Sequence, residues 1–368
     1  MSYITTEKEV SAEVQETNRQ LEELLKKQIT RVKIIGVGGG GGNSISRMKE
    51  VGITGGEIIA INTDAQDLLY TSADKKILIG KEISRGMGAG SNPRIGMEAA
   101  RESINEIKEK LYDADVVFIA CGLGGGTGTG AAPVIAEIAK KQGALTIAIV
   151  TFPFTVEGKK RVENALEGLE TLEGMVDTLI IIPNDKLLEI APDLPLSTAF
   201  KIADEILTNA VKGITELVTR SGLVNLDFAD LRAIMVNGGI SLIGLGESNG
   251  PNRAIESIEK AINNPLLDLE IENATGALVN VIGGEDLSLE EYKEIMEYLG
   301  QRLSPDAKII SGAQILKDFK GLKVMVIITG TNASKSLKNK NSREILEEAL
   351  EIGLFEDLES EIAEKIDN

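Results

Sequence analysis

The chain has 368 residues, 57 acids against 39 bases for a formal charge of −18, no histidine, no tryptophan and one cysteine. Without histidine, Ser-His-Asp triads and histidine zinc sites are excluded, and a lone Cys121 cannot form an internal disulfide, which suits a reducing, intracellular compartment. The acidic surplus argues against a nucleic-acid partner. No apolar run reaches the ~18 residues of a membrane span, and the charged segment Met1 to Gln28 lacks a secretory core, so the expectation is a soluble, cytoplasmic protein without direct membrane insertion.

In chain order, residues 1–30 carry Val10, Val14, Leu21, Leu24, Leu25 and Ile29 at the spacing of an amphipathic helical extension. Strands are predicted at Arg31 to Val37, Glu57 to Ile61, Asp115 to Ala120, Leu145 to Val150 and Thr178 to Ile182. They alternate with helices at Asn43 to Val51, Asn92 to Leu111 and Pro133 to Lys141. Such alternation predicts a mainly parallel sheet covered on both faces. Leu196 to Thr219 reads as one long helix without proline, a connector to a second α/β unit. That unit has predicted strands at Leu231 to Val236, Ile240 to Gly246, Gly276 to Ile282 and Lys323 to Thr329, and helices at Asn252 to Ile262 and Ser288 to Leu303. Residues 331–340, with three lysines, read as a linker. Residues 341–368, with ten acids and two bases, read as an acidic tail, either a docked helix or a segment that folds on a partner.

The 39 glycines concentrate in two loops. Gly36-Val37-Gly38-Gly39-Gly40-Gly41 contains a G-x-G-x-x-G spacing between a strand and a helix, where backbone N–H groups can meet a pyrophosphate; Asp64 follows where a ribose-binding acid would lie. Alone this is equally a tight turn. The second loop, Gly122-Leu123-Gly124-Gly125-Gly126-Thr127-Gly128-Thr129-Gly130, also joins a strand to a helix, and its three successive glycines can form an anion nest with Thr127 and Thr129 as added donors. Neither loop has the P-loop lysine. Two such loops on one sheet imply a polyphosphate held by backbone donors. A third segment, Gly86 to Pro93, leads into a helix start and is either a closure over a terminal phosphate or a surface loop.

Gly124 to Gly130, together with Gly36 to Asn43, Asn62 to Gln66, Gly88 to Pro93, Pro153 to Gly158 and Asn225 to Asp230, resembles the FtsZ family of the tubulin superfamily over about residues 31–330. Wording such as Ala199 to Asp204 is closer to its archaeal than to its bacterial members. The resemblance implies a tubulin/FtsZ-like α/β fold. It divides the chain into a Rossmann-like GTP-binding domain over 31–195, a central helix over 196–220 and a smaller α/β domain over 221–330. It further implies GTP/GDP as ligand. Gly39, Gly40 and Gly124, Gly125, Gly126, Thr127, Gly128, Thr129 would meet the phosphates, and Ala89, Gly90, Ser91 and Asn92 the γ-phosphate. Glu157 and Arg161 would meet the ribose and phosphate region, and Asn43 and Asp204 the guanine, with Phe200 packed on the base. Bacterial members carry asparagine in place of Gly42 and glycine in place of Ser91.

Three further residues, Asn225, Asp227 and Asp230, match the family's catalytic segment, which acts on the neighbouring subunit's GTP in a head-to-tail filament. Asp227 also has the chemistry of a cap before a helical start at Phe228 to Ile234, overlapping the strand reading of that stretch. Mg²⁺ is expected on the phosphates and water rather than on side chains, with K⁺ left open. A cytokinetic role at mid-cell and a membrane-anchor or regulatory partner for the tail complete the expectation. Three rivals differ in testable ways. A nicotinamide oxidoreductase leaves the second loop and the acids unused, a non-hydrolysing scaffold leaves the acid pair unused, and a tubulin-like protein of cell shape or DNA segregation keeps the chemistry but changes the role.

Overall fold

The computed structural model describes residues 30–186, 195–219, 227–263 and 274–330. The predicted extension before Thr30, Asn225, the linker 331–340 and the tail 341–368 lie outside the described residues.

The first unit runs β1 (Val32–Val37), α1 (Gly38–Val51), β2 (Gly56–Asn62), α2 (Ala65–Tyr70), β3 (Lys75–Leu78), α3 (Pro93–Glu102), α4 (Ile104–Leu111), β4 (Val116–Gly122), α5 (Thr127–Lys141), β5 (Leu145–Phe152), α6 (Lys159–Glu173) and β6 (Thr178–Pro183). After α7 (Leu196–Thr219) and α8 (Phe228–Met235) come β7 (Gly239–Ser248), α9 (Arg253–Ile262), β8 (Gly276–Gly283), α10 (Leu289–Gly300), β9 (Lys308–Ile315) and β10 (Leu322–Thr329). The strand order is β3-β2-β1-β4-β5-β6-β7-β10-β8-β9. Pairing is parallel from β3 to β7 and between β8 and β9, and antiparallel where β10 meets β7 and β8. The join between the units is short, three residue pairs from Thr178↔Gly239 to Ile180↔Ser241.

Alternate residues of the strands feed opposite faces. Ile35, Val117, Ile119 and Ala148 pack against α3 to α6, whereas Ile34, Val116, Phe118 and Ile147 pack against α1 and α7. β4 is buried on both faces, which explains its unbroken apolar run. The second unit has its own core of Ile258, Val279, Ile295, Leu299, Val324 and Val326, while Leu278, Met325 and Ile327 turn back toward α7.

Three expectations change. The single helix over Asn92 to Leu111 is broken at Ser103, whose φ of −96° and ψ of 17° leave the helical range and whose Oγ accepts from the Gly80 N–H at 3.2 Å. Leu231 to Val236 is not a strand. Asp227 caps a helix there by accepting from the Asp230 N–H at 2.8 Å, and Leu231, Ile234 and Met235 are buried at helical spacing. The helices after both glycine loops start at Gly38 and Thr127, well before Asn43 and Pro133, so Gly38 to Gly42, Gly128 and Gly130 lie in the helices' first turns while Gly124 to Gly126 precede the second helix. The structure also adds α2, β3, α6 and β9.

Candidate functional site

The order β2-β1-β4-β5 places the chain reversal between β1 and β4, so a crevice opens at their carboxyl ends, where ligands of open parallel sheets bind. Both glycine loops leave from there. They touch. A Cβ on Gly38 would lie 2.9 Å from the Gly128 N, and one on Gly40 would lie 3.3 Å from the Gly122 N. Gly38 also has a φ of +70°, a left-handed value that glycine adopts without strain. Neither α1 nor α5 has a side-chain cap, so two helix N-termini present backbone N–H groups to the same space.

The third loop joins them. Cβ atoms on Gly126 and Gly130 would press on Ala89, Asn92 and Pro93, so the Gly88 to Pro93 segment lies directly against the second loop. Within this cradle the open positions differ from the packed ones. Nothing lies within 4 Å of a Cβ built on Gly90 or Gly125, whereas Gly124 and Gly126 are hemmed in by Arg161 and Ala89. The loops have fixed flanks and open tips, the shape an anion would fill.

Several predicted contacts turn out to be structural joints as well. Thr129 is buried, and its Oγ accepts from the Gly124 N–H at 3.0 Å, so the side chain expected to meet a phosphate also clamps its own loop. The Thr127 hydroxyl meets that of Thr63 at 2.6 Å, joining the second loop to the end of β2. Asp64 and Asn92 are N-caps: Asp64 accepts from the Gln66 and Asp67 N–H groups and Asn92 from that of Arg94. Ser91 has a φ of +57°, a left-handed value that glycine adopts more readily than serine, and Gly42 is buried against Thr71.

On the far side of the crevice, Glu157 pairs with Arg161 at 3.0 Å and accepts from the Phe154 N–H at 2.9 Å. Phe200, on α7, stands half exposed, its ring edge-on to buried Phe154 at 5.3 Å and 84°. One turn later, Asp204 accepts from the Ser44 hydroxyl at 2.6 Å. Burial pushes the Asp204 carboxyl upward, opposed by the Ser44 hydrogen bond and the Arg47 charge. Asn43 is exposed on α1 beside Ser44. Sequence reasoning missed Ser44, Thr63, Phe154 and Asn164, whose amide reaches the Ser91 carbonyl at 3.2 Å. Thr63 and Phe154 lie inside motif segments and Ser44 follows one directly, whereas Asn164 carries no signal in isolation.

The predicted acids are elsewhere. Thr219 at the end of α7 packs against Gly55, just before β2, and Arg232 on α8 reaches the Gly143 carbonyl, just before β5, at 3.4 Å. Both places are the amino ends of the strands. At ~1.5 Å per residue, the 24 residues of α7 set roughly 36 Å between its two ends. Exposed Asp227 and half-buried Asp230 therefore lie at the edge of the sheet opposite the glycine loops.

A Rossmann-like sheet with three apposed glycine loops, Phe200 and Asp204 one turn apart on the helix that follows, and no P-loop lysine defines a nucleotide-binding protein of the tubulin type. Known proteins agree. The profile described as Tubulin/FtsZ family, GTPase domain, matches residues 31–192, and that of the FtsZ family, C-terminal domain, matches residues 239–332. The chain is 54% identical over 322 residues to Cell division protein FtsZ 1 of Methanocaldococcus jannaschii, covering 87% of this chain and 88% of that one. It is 56% identical over 321 residues to the protein of the same name from Thermococcus kodakarensis, covering 87% and 86%. A solved structure titled FtsZ dimer, empty, from M. jannaschii, superposes with a TM-score of 0.82 at 55% identity over 87% of this chain and 93% of that one. CetZ2 from Haloferax volcanii, at 21% identity and a TM-score of 0.73 over 87% and 99%, shares the fold. The chain belongs to the FtsZ family, and its first unit is a GTPase domain.

Proposed function

We propose that the chain is a cell-division GTPase that assembles head to tail into filaments, with each GTP hydrolysed between two subunits. The relatives' names supply the division role and the dimeric relative supplies self-association. One observation carries the active-site reading: the anion cradle and Asp204 lie at one end of α7, and Asp227 and Asp230 at the other.

In this reading residues 31–195 form the GTP-binding domain, 196–220 the connecting helix and 221–330 the domain that delivers the acids. The open tips at Gly90 and Gly125, with Gly39 and the N–H groups of α1 and α5, hold phosphate oxygens. Asp204 accepts from guanine N1–H and N2–H₂, a donor pair that adenine lacks, and Phe200 covers the base. Glu157 and Arg161 face the ribose. Backbone N–H groups bind anions and not cations, and among the described residues no cluster of metal-ligating side chains is present, so Mg²⁺ would enter with the nucleotide and would supply neutralisation of phosphate charge. Asp227 and Asp230 orient the attacking water from the next subunit, and Asn225 helps to orient the phosphate end. Repulsion between these acids and a polyphosphate explains their separation within one chain. The acidic tail docks on a membrane-anchor or regulatory protein at the division site.

The test is specific GTPase activity across protein concentrations with light scattering alongside. Activity per molecule rises with concentration and tracks assembly. Activity independent of concentration refutes the shared site. Deletion of residues 341–368 leaves GTP hydrolysis intact and abolishes recruitment to the membrane; unaltered recruitment removes the role given to the tail.

A further inference from the structure

We propose that Ser44 is a positioning residue for base recognition, holding the Asp204 carboxylate in place and ionised to receive guanine. The inference rests on the assignment of Asp204 to the base. Ser44 lies on α1, four residues beyond Gly40 of the first loop, and is 1% exposed. Its Oγ lies 2.6 Å from Asp204 Oδ1 and 3.1 Å from the Gly40 carbonyl oxygen. A hydroxyl has one proton to donate, and the shorter bond to a charged acceptor takes it. A serine whose purpose is to satisfy its own helix would show the reverse order of distances.

The geometry matters because guanine presents two donors. An ionised carboxylate has about four acceptor positions, and Ser44 uses one on Oδ1, leaving both oxygens able to accept from the base. A protonated carboxyl presents a donor of its own and opposes guanine. Burial of Asp204 between α1 and α7 favours that protonated form. The groups that counter it come from α1, the Ser44 hydroxyl and the Arg47 charge; Lys201 and Glu205 are its charged neighbours on α7. The Ser44 hydroxyl sits between the Asp204 carboxylate and the Gly40 carbonyl, within 3.1 Å of each. One buried hydroxyl thus links the charge of the base reader to the backbone of the first phosphate loop.

The test uses the full chain and titrates GTP and inorganic tripolyphosphate, from roughly pH 5 to pH 8, against wild type, Ser44→Ala, Ser44→Thr and Asp204→Asn. Ser44→Ala weakens GTP roughly tenfold at neutral pH, and more as the pH falls, because the unsupported carboxyl takes up its proton at higher pH. Its affinity for tripolyphosphate is unchanged, and Ser44→Thr restores GTP binding. Wild-type GTP affinity and pH profile in Ser44→Ala overturn the proposal. Equal, pH-independent loss of GTP and tripolyphosphate also overturns it, placing the effect in the Gly40 loop. Wild-type GTP affinity in Asp204→Asn strikes the base assignment itself, whereas loss in Asp204→Asn with a silent Ser44→Ala strikes the Ser44 inference alone.

Discussion

The two ends of α7 are finished to different degrees. At the first, Asp204 is half-buried, hydrogen-bonded to Ser44 and close to a pair of aromatic rings already in edge-to-face contact. At the second, Asp227 is exposed and its described hydrogen bond is a cap within its own helix. The base end is organised before any ligand arrives. The acid end carries carboxylates that can orient a water, and among the described residues no anion cradle lies beside them, which is what a half-site looks like before its complement is supplied.

The largest expected effect sets the two ends apart. Asp227→Ala lowers GTP turnover on the order of 10²-fold or more while GTP affinity, measured by titration, stays at the wild-type value. Loss of affinity in that variant would erase the distinction between the ends. The next contrast lies inside the cradle. Gly130→Ala drives a methyl into the Pro93 carbonyl and to 2.7 Å from the Met97 N, and costs about 2–3 kcal/mol in urea unfolding. Gly125→Ala meets open space; it changes stability by less than about 1 kcal/mol but weakens GTP binding by filling the crevice.

Glu291 tests the acid-bearing unit by itself. Arg253 beside it, at 2.6 Å, holds its carboxyl down at about 2, from an ordinary value of 4.5. A depressed carboxyl contributes stability above its unfolded value and loses it as the pH falls, here between about 4.5 and about 2. Glu291→Gln therefore costs about 1–2 kcal/mol at neutral pH and flattens the acid limb of the unfolding curve. The smallest effect belongs to Ser91→Gly: relief of a left-handed φ offsets the added freedom of the unfolded chain, and the net change stays within about 0.5 kcal/mol.

Legibility in the sequence followed the same division. The glycine loops, β4 and α7 were readable because each carries a strong local signal: clustered glycines, a run buried on both faces, and 24 residues of helical apolar spacing. β3 was not, since its four residues include two exposed lysines at a sheet edge. α8 was mistaken in part for a strand because a short apolar run carries no period that separates the two. In α6, by contrast, Val162, Ala165, Leu169 and Leu172 recur at helical spacing, and the element could have been found. The Ser44–Asp204 bond joins residues 160 positions apart and is visible in three dimensions alone.

The three residue pairs between β6 and β7 give the ten-stranded sheet a mechanical character. β1 and β4 share six pairs, so the seam between the two halves of the sheet is half as long as that joint. Tension along a filament would load that seam, with α7 lying across it as a brace packed on strands of both halves. Amide exchange should report this as a gradient, fastest at the seam and slowest at the centre of the first half, so that the molecule yields by tilting its halves before either one frays.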